Sequence, residues 1–370
     1  MIEKGKISAF QMALMIEPTV VATAVLVVPS VTAKVAGRDM WISPIFGSLV
    51  GFFSLFIVYQ LHKHFPEKSI IQYSGDIIGR IPGKIIGLIY LFFLLHSSGI
   101  ITREYADFII AAFLPRTPMF VVMGGMILVC AFTVLSGLEV LGRAAQVFVP
   151  IFMSTPLLFI LLIPDLKLEN IVPIMEHGMM PSILGAVIPQ GWLSEVSLIS
   201  MFLPFLKDRE KGGKWGIISV IVIILHLVII NIVCLLLYGE SVTSYAFPVL
   251  TAFRYISVAT FFEHLEAVVV IIWVMGAFIK ISVFYYVLVL GTAQWLNLSD
   301  YRPIVFPIGF LVCLVCIWAA ANGQELGRFL RTISPFYIPS IMTFIPMLLL
   351  LIAIIKKKMR NKRQPVPTNP

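Results

Sequence analysis

Gly185-Ala186-Val187-Ile188-Pro189-Gln190-Gly191-Trp192 sets a proline and a Gln-Gly pair inside an apolar run covering about residues 183–206. A bilayer offers no hydrogen bonds to a freed backbone. A helix broken at membrane depth therefore survives only where protein encloses it around a cavity. A second run of this kind reads Ile16-Glu17-Pro18-Thr19-Val20-Val21-Ala22-Thr23-Ala24, with Pro29 following. These two runs decide the fold through their position in the chain.

The argument requires a membrane protein, and composition supplies one. Of 370 residues, 59% are hydrophobic and 12% charged, against about 45–50% and about 25% in soluble chains. Mean hydropathy is +0.99. A soluble domain cannot hide that much apolar side chain, since much of its surface stays wet. This excludes a soluble enzyme, a disulfide-rich secreted module and a disordered chain. The apolar residues come in blocks of roughly 20, the length of a transmembrane helix. The short alternating segments of a barrel are absent from the sequence. Ten spans are expected, at about 8–35, 42–62, 84–114, 119–138, 144–163, 183–206, 215–238, 265–295, 303–321 and 337–355. The two interrupted runs are thus the first of five spans and the first of the next five. Broken helices at corresponding places in two halves point to the binding site of an inverted-repeat transporter. The expected organisation is one transmembrane domain, 1–355, with halves at about 8–163 and 183–355, and a basic tail at 356–370.

Charge orients the spans. With the N-terminus inside, 18 Lys and Arg lie in inner segments and seven in outer ones, the other two falling within spans. Positive residues stay on the cytoplasmic side, so both termini are expected there. The net charge of +8 then reflects topology and attraction to anionic lipid, and no nucleic-acid partner is expected. The start of the chain imitates a signal peptide, with Lys4, Lys6, an apolar run and Ala22-Thr23-Ala24. Glu17 and Pro18 interrupt that run and the apolar stretch continues to Val31, so it reads as a retained first span. Cys313 and Cys316 lie within an apolar span and read as small hydrophobes. No metal or cofactor is expected, and no catalytic triad, phosphate loop or carboxylate pair at catalytic spacing occurs.

A family resemblance rests on motifs spread along the chain: Asp39-Met40-Trp41-Ile42-Ser43, Phe65-Pro66 with Tyr73 and Gly79, Leu114-Pro115-Arg116-Thr117-Pro118, Gly137-Leu138-Glu139 with Arg143, Asn170-Ile171-Val172-Pro173, and Trp273 with Lys280. In this order the chain resembles the B-subunit family of bacterial spore germinant receptors, within the amino acid/polyamine/organocation permease superfamily. The resemblance implies an all-α membrane protein with a LeuT-like fold of ten helices, broken in helices 1 and 6. It implies sensing of small germinants, typically amino acids. It also implies partnership with an A-type membrane subunit and a C-type lipoprotein in the spore inner membrane. One position departs from the family. Ala22-Thr23-Ala24 stands where a Gly-x-Gly break is usual. Alanine favours helix by up to about 1 kcal/mol per residue, so the expected break is either shifted toward Pro18 or less open.

Ionisable side chains in mid-membrane are costly and mark candidate sites. Lys280 lies deep in span 8, beyond the reach of snorkelling. At a contact of spans 1 and 8 its ammonium would stand where sodium-coupled relatives hold a cation; a lysine bonded to buried carbonyls or an acid is the alternative. Glu195, one turn after the span 6 break, is a partner for Lys280, a proton carrier or a clamp for a ligand ammonium. Ala22, Thr23, Ala24, Ser97, Gln190, Gly191, Trp192, Glu195, Ser282 and Tyr286 form the expected ligand-binding set. Arg103 and Asp107, four apart, should pair on one helix face. Two functions fit these features, a germinant-sensing receptor subunit and a proton-coupled amino acid transporter.

Overall fold

The structure is a computed structural model, and it describes residues 2–254 and 265–363. Of the basic tail expected at 356–370, residues 364–370 lie outside the described residues. Among the described residues the chain is almost wholly helical, with one isolated β-bridge between Ile7 and Leu206. Eight helices among the described residues are long and apolar enough to cross a membrane. They are Ala9–Trp41, Ser43–His64, Arg80–Ala112, Met119–Ser136, Leu138–Asp165, Arg209–Ser244, Glu266–Leu296 and Ser334–Met359. They correspond to expected spans 1–5, 7, 8 and 10. Span 9 is Val305–Trp318, followed by a helix at Gly323–Thr332. The chain bends 96° between the two. Span 6 is a series of short pieces: helices at Met180–Gly185, Pro189–Ser194 and Ile199–Phe202, with 3-10 turns at Glu195–Leu198 and Leu203–Phe205.

Span 1 corrects an expectation. It runs without interruption from Ala9 to Ala36, with Pro18 and Pro29 inside it. A capping box starts it, the Ser8 hydroxyl accepting from the Gln11 amide while the Gln11 side chain accepts from the Ser8 amide. Such a box satisfies two otherwise orphaned donors. Each proline removes one helical hydrogen bond. Neighbouring hydroxyls bond the local carbonyls: Thr19 Oγ1 donates to Met15 O at 2.7 Å and Thr32 Oγ1 lies 2.7 Å from Val28 O. Ser and Thr hydroxyls are among the groups that let membrane helices tolerate proline. Alanines at positions 22 and 24 then favour helix where glycines would favour a break.

Burial locates span 1 at the centre. Its most apolar window is 94% buried, against 22% for span 5. It packs against spans 5, 7 and 8 and the pieces of span 6. Phe120, Leu128, Phe132 and Val147 of spans 4 and 5 are exposed, as residues facing lipid should be. Spans 4 and 5 meet at Gly137, whose φ of +92° a residue with a Cβ rarely adopts. Two further elements went unforeseen in sequence. One is a helix at Ile70–Ile78 between spans 2 and 3. The other is a π-helical turn at Ser340–Phe344 within span 10.

The segment before span 1 straps the termini side. Ile7 N donates to Phe205 O at 3.1 Å and Lys207 N donates to Ile7 O at 2.9 Å. The buried Glu3 carboxylate accepts from Tyr286 Oη at 2.8 Å and Tyr301 Oη at 3.1 Å. These bonds tie the N-terminal segment to span 6, span 8 and the loop before span 9.

Candidate functional site

Span 6 is broken just where spans 1 and 8 pass it, and the break frees side chains that a regular helix would point elsewhere. Lys280 of span 8 is fully buried. Its Nζ donates to Glu195 Oε2 of span 6 at 3.0 Å and to Thr23 Oγ1 of span 1 at 2.8 Å. The Trp192 indole donates to the same Thr23 hydroxyl at 3.0 Å. Three spans therefore meet through one hydroxyl, one ammonium and one carboxylate. A buried ion pair is favourable only when its geometry is good and its other hydrogen bonds are made. The Phe284 ring, one turn along span 8, lies 5.7 Å from the ammonium, a distance at which ring and cation attract.

A second anchor fixes span 1 to span 8. Trp273 Nε1 donates to Ala22 O at 2.6 Å. Its ring lies 4.3 Å from that of Phe108 in span 3. Below this level Glu17 Oε1 lies 2.8 Å from His226 Nδ1 of span 7, both buried. Glu17 thus joins span 1 to span 7 through a histidine. Arg103 pairs with Asp107 at 3.0 Å and donates to Ala320 O at 2.8 Å, joining span 3 to the end of span 9.

Beside the lysine cluster is a cavity of about 20 Å³, room for about one water. Its walls include His96, Ser97 and Glu104 of span 3, Trp192 and Glu195 of span 6, and Tyr337 of span 10. A larger cavity of about 320 Å³ lies on the side away from the termini, lined by Lys34, Trp192, Tyr245 and Arg331 among others. Its size is that of a small-ligand pocket. Trp192 and Leu330 line both cavities and so form the partition between them.

Of the expected ligand-binding set, the structure brings Thr23, Trp192 and Glu195 together at Lys280, with Ser97 on the wall of the small cavity. Ala22 takes part through its carbonyl, and Ala24 is buried within span 1. Gln190 and Gly191 pack on span 10 instead. Gln190 Nε2 lies 3.5 Å from Pro335 O, and a Cβ on Gly191 would sit 3.4 Å from Pro335 Cα. Two members fall outside the cluster. Ser282 lies beside Cys130 of span 4. Two residues beyond Lys280 is about 200° around a helix of 3.6 residues per turn, which points it to the opposite side. Tyr286 is about 9 Å along the helix from Lys280, and its hydroxyl belongs to Glu3.

Glu104 was absent from the expected set and belongs to the cavity. The signal was available. Positions 96, 97, 100, 101 and 104 recur at helical spacing and share one face, and all five line the cavity. The adjacent Arg103–Asp107 pair, at i and i+4, was the more obvious pattern.

Known proteins give the family. A family model described as "Spore germination protein" matches residues 6–325. Spore germination protein KB of Bacillus subtilis (strain 168) is 26% identical, the match covering 97% of this chain and 98% of the relative. Spore germination protein XB of Bacillus anthracis is 24% identical over 96% of this chain and 99% of its own length. Among solved structures, the nucleobase-cation-symport-1 family transporter Mhp1, in a closed conformation with bromovinylhydantoin bound, matches with a TM-score of 0.68. It is 13% identical, with 94% of this chain and 78% of that chain covered. MhsT in complex with L-phenylalanine matches at a TM-score of 0.63 and 11% identity, covering 95% and 99%. Both carry the LeuT fold, the fold that the family resemblance implies. With the profile matched from Lys6 into the helix after span 9, the chain belongs to the spore germination protein family.

Proposed function

We propose that this chain is the membrane subunit of a spore germinant receptor that binds a small germinant, an amino acid, in its mid-membrane cavity and so triggers germination. One observation carries the reading. A pocket of about 320 Å³ and a buried, charged cavity share Trp192 and Leu330 as their partition. A ligand taken up in the first and passed to the second would disturb the Thr23–Trp192 hydrogen bond and with it the Lys280–Glu195 pair. Binding would then be felt by spans 1, 6 and 8 together, which is what a sensor requires. In this reading the chain works with an A-type membrane subunit and a C-type lipoprotein in the spore inner membrane, with both termini cytoplasmic. It performs no catalysis.

The second reading is a proton-coupled amino acid transporter. The transporter scaffold and the carboxylates beside Lys280 favour it. One experiment divides the two. Purified protein in liposomes is given labelled amino acids with and without a pH gradient. Binding without pH-driven accumulation supports the receptor; steady uptake that is lost in Lys280→Ala supports the transporter. Gly191→Leu, which forces span 6 away from Pro335, should abolish the germination response at normal protein level. An unchanged response would remove span 6 from the site. A cysteine at Gly212 should react only from the cytoplasm and one at Ser244 only from the other side; reversed labelling overturns the orientation.

A further inference from the structure

Of the five charged groups around the small cavity and just above it, four form two ion pairs. Glu195 holds Lys280 at 3.0 Å. Arg103 holds Asp107 at 3.0 Å. Glu104 is the remaining carboxylate. It is 7% exposed and lines the cavity. Among the described residues it receives no hydrogen bond and no cation stands within ion-pair distance. Lys280, Glu195 and Asp107 are near enough for their charges to act on it, but the lysine is engaged elsewhere. His96 Nδ1, on the same wall, is also buried without a partner. Buried polar groups are nearly always satisfied, and an exception calls for a physical reason. One such nitrogen and one carboxylate without a protein donor, both facing one cavity, point to a group that arrives from outside.

We propose that the Glu104 carboxylate receives the ammonium group of the ligand, and that recognition in this chain is of the amine end. This rests on the reading that the cavity takes an amino acid, and names how that amino acid is held. Three observations fix the polarity. The cavity has two carboxylates on its wall, Glu104 and Glu195, and the one lysine beside them pairs with Glu195 alone of the two, so the Glu104 side favours a cation over an anion. Span 1 is helical throughout Ala22–Ala24, so its amides are bonded within the helix and offer a ligand carboxylate no donors. Ile100, Ile101, Phe329, Leu330 and Ile338 supply apolar wall beside the polar His96, Ser97, Ser334 and Tyr337, which leaves room for a ligand with an aliphatic body. The carboxylate end is then left toward Trp192 and the larger cavity, where Lys34 and Arg331 are the cations. At about 20 Å³ the cavity admits the ligand only when Trp192 or Leu330 moves aside.

The test uses the full-length chain purified in detergent, with a panel of apolar amino acids as probes. Primary amines lacking the carboxylate and acids lacking the amine, each matched to a panel member, serve as competitors. Binding is read by calorimetry. We expect the amines to compete and the acids to fail. Glu104→Gln should weaken every amino acid that the parent binds by at least tenfold, with an unchanged or higher melting temperature because a buried unpaired charge is gone. Glu104→Asp keeps the charge but withdraws it by one methylene, and should weaken binding several-fold even if the glutamine variant fails to fold. Parent-like affinity in these variants overturns the proposal. So does competition by the acids equal to that by the amines, or stabilisation by sodium alone equal to that by the amines. If the parent binds nothing in the panel, this proposal and the reading beneath it both fall. If the parent binds and the Glu104 variants bind equally, only this proposal falls.

Discussion

Spans 1 and 6 open the two sets of five helices, both are interrupted by proline in sequence, and only one is interrupted in space. Span 1 carries Pro18 and Pro29 and remains a helix of 28 residues. Span 6 carries Pro181, Pro189 and Pro204 and falls into pieces of six residues or fewer. Proline is common to both and so does not explain the difference. Glycine and neighbours do. In span 6, Gly185 and Gly191 flank the break; a Cβ on Gly185 would lie 2.4 Å from Ser43 Oγ, so this stretch is pressed against span 2. Gly47 and Gly51 of span 2 admit Leu193, to which a Cβ there would lie 3.2 and 3.3 Å away. In span 1, alanines occupy the centre, hydroxyls bond the carbonyls near each proline, and Trp273 holds Ala22 O from outside. A proline run in a membrane helix thus signals a bend or a break only when glycine and close neighbours accompany it.

The strongest way to break this contrast is to remove the charge that joins the two spans. Lys280→Ala leaves Glu195 buried without a partner and Thr23 without one of its donors. Losing one member of a buried pair costs about 3–5 kcal/mol. Thermal denaturation in detergent should show a large loss of stability, and cellular abundance should fall. Lys280→Arg should rescue poorly, since a planar guanidinium does not fit where a compact ammonium meets two acceptors. Lys280→Met with Glu195→Leu should recover most of the stability, because replacing a whole buried pair by apolar groups is often neutral. Sodium should alter neither stability nor response in the parent. If the double variant is as unstable as Lys280→Ala, the pair is not what holds the broken span in place.

Next in size is the packing that keeps span 6 in pieces. Gly185→Val drives a branched side chain into Ser43 and Ala36. Overpacking of this kind costs about 1–3 kcal/mol. The loss should appear as a lowered melting temperature, while a conservative change on the lipid face, such as Leu128→Ile, should leave it unmoved. Equal effects at the two positions would mean that span 6 adapts freely and that its broken shape is not fixed by span 2.

The sequence carried the architecture further than it carried the site. Blocks of roughly 20 apolar residues and their prolines gave ten spans, because the bilayer imposes one length and one hydrogen-bonding rule on every helix. Lys280 and Glu195 were legible for the same reason, since a charge that deep needs a partner. Tyr286 and Ser282 lie off the Lys280 cluster because nearness along a helix is not a shared face. Tyr286 answers to Glu3, a residue 283 positions away in sequence, and no local pattern announces that pairing. Glu104 was readable by its spacing from His96 and Ser97, and the Arg103–Asp107 pair on the neighbouring face drew the eye from it. The larger cavity was not readable at all. Its walls come from span 1, span 6, the loop after span 7 and the helix beyond span 9, and only packing brings those together.

The smallest expected effect is the one that bears most directly on how spans 1 and 6 differ. Ala22→Gly and Ala24→Gly restore the Gly-x-Gly that the resemblance leads one to expect in span 1. Each replaces the best helix former with a poor one at a cost of about 0.8–1 kcal/mol in helix interior. If span 1 remains helical when ligand binds, both states lose that amount alike. The melting temperature should then drop by a few degrees and the affinity for amino acids should stay within about twofold. Retention of the helix is expected, because Thr23 Oγ1 is held by Lys280 and Trp192 at 2.8 and 3.0 Å and Ala22 O is held by Trp273 at 2.6 Å. These are contacts from three neighbours that do not depend on which residue fills positions 22 and 24. If instead binding unwinds span 1, the glycines destabilise only the unliganded helix. A relative gain of about 1 kcal/mol would then tighten binding by about fivefold. Calorimetry on parent and variants separates the outcomes: unchanged affinity keeps the two spans different in kind, and tighter binding makes span 1 a latent second break.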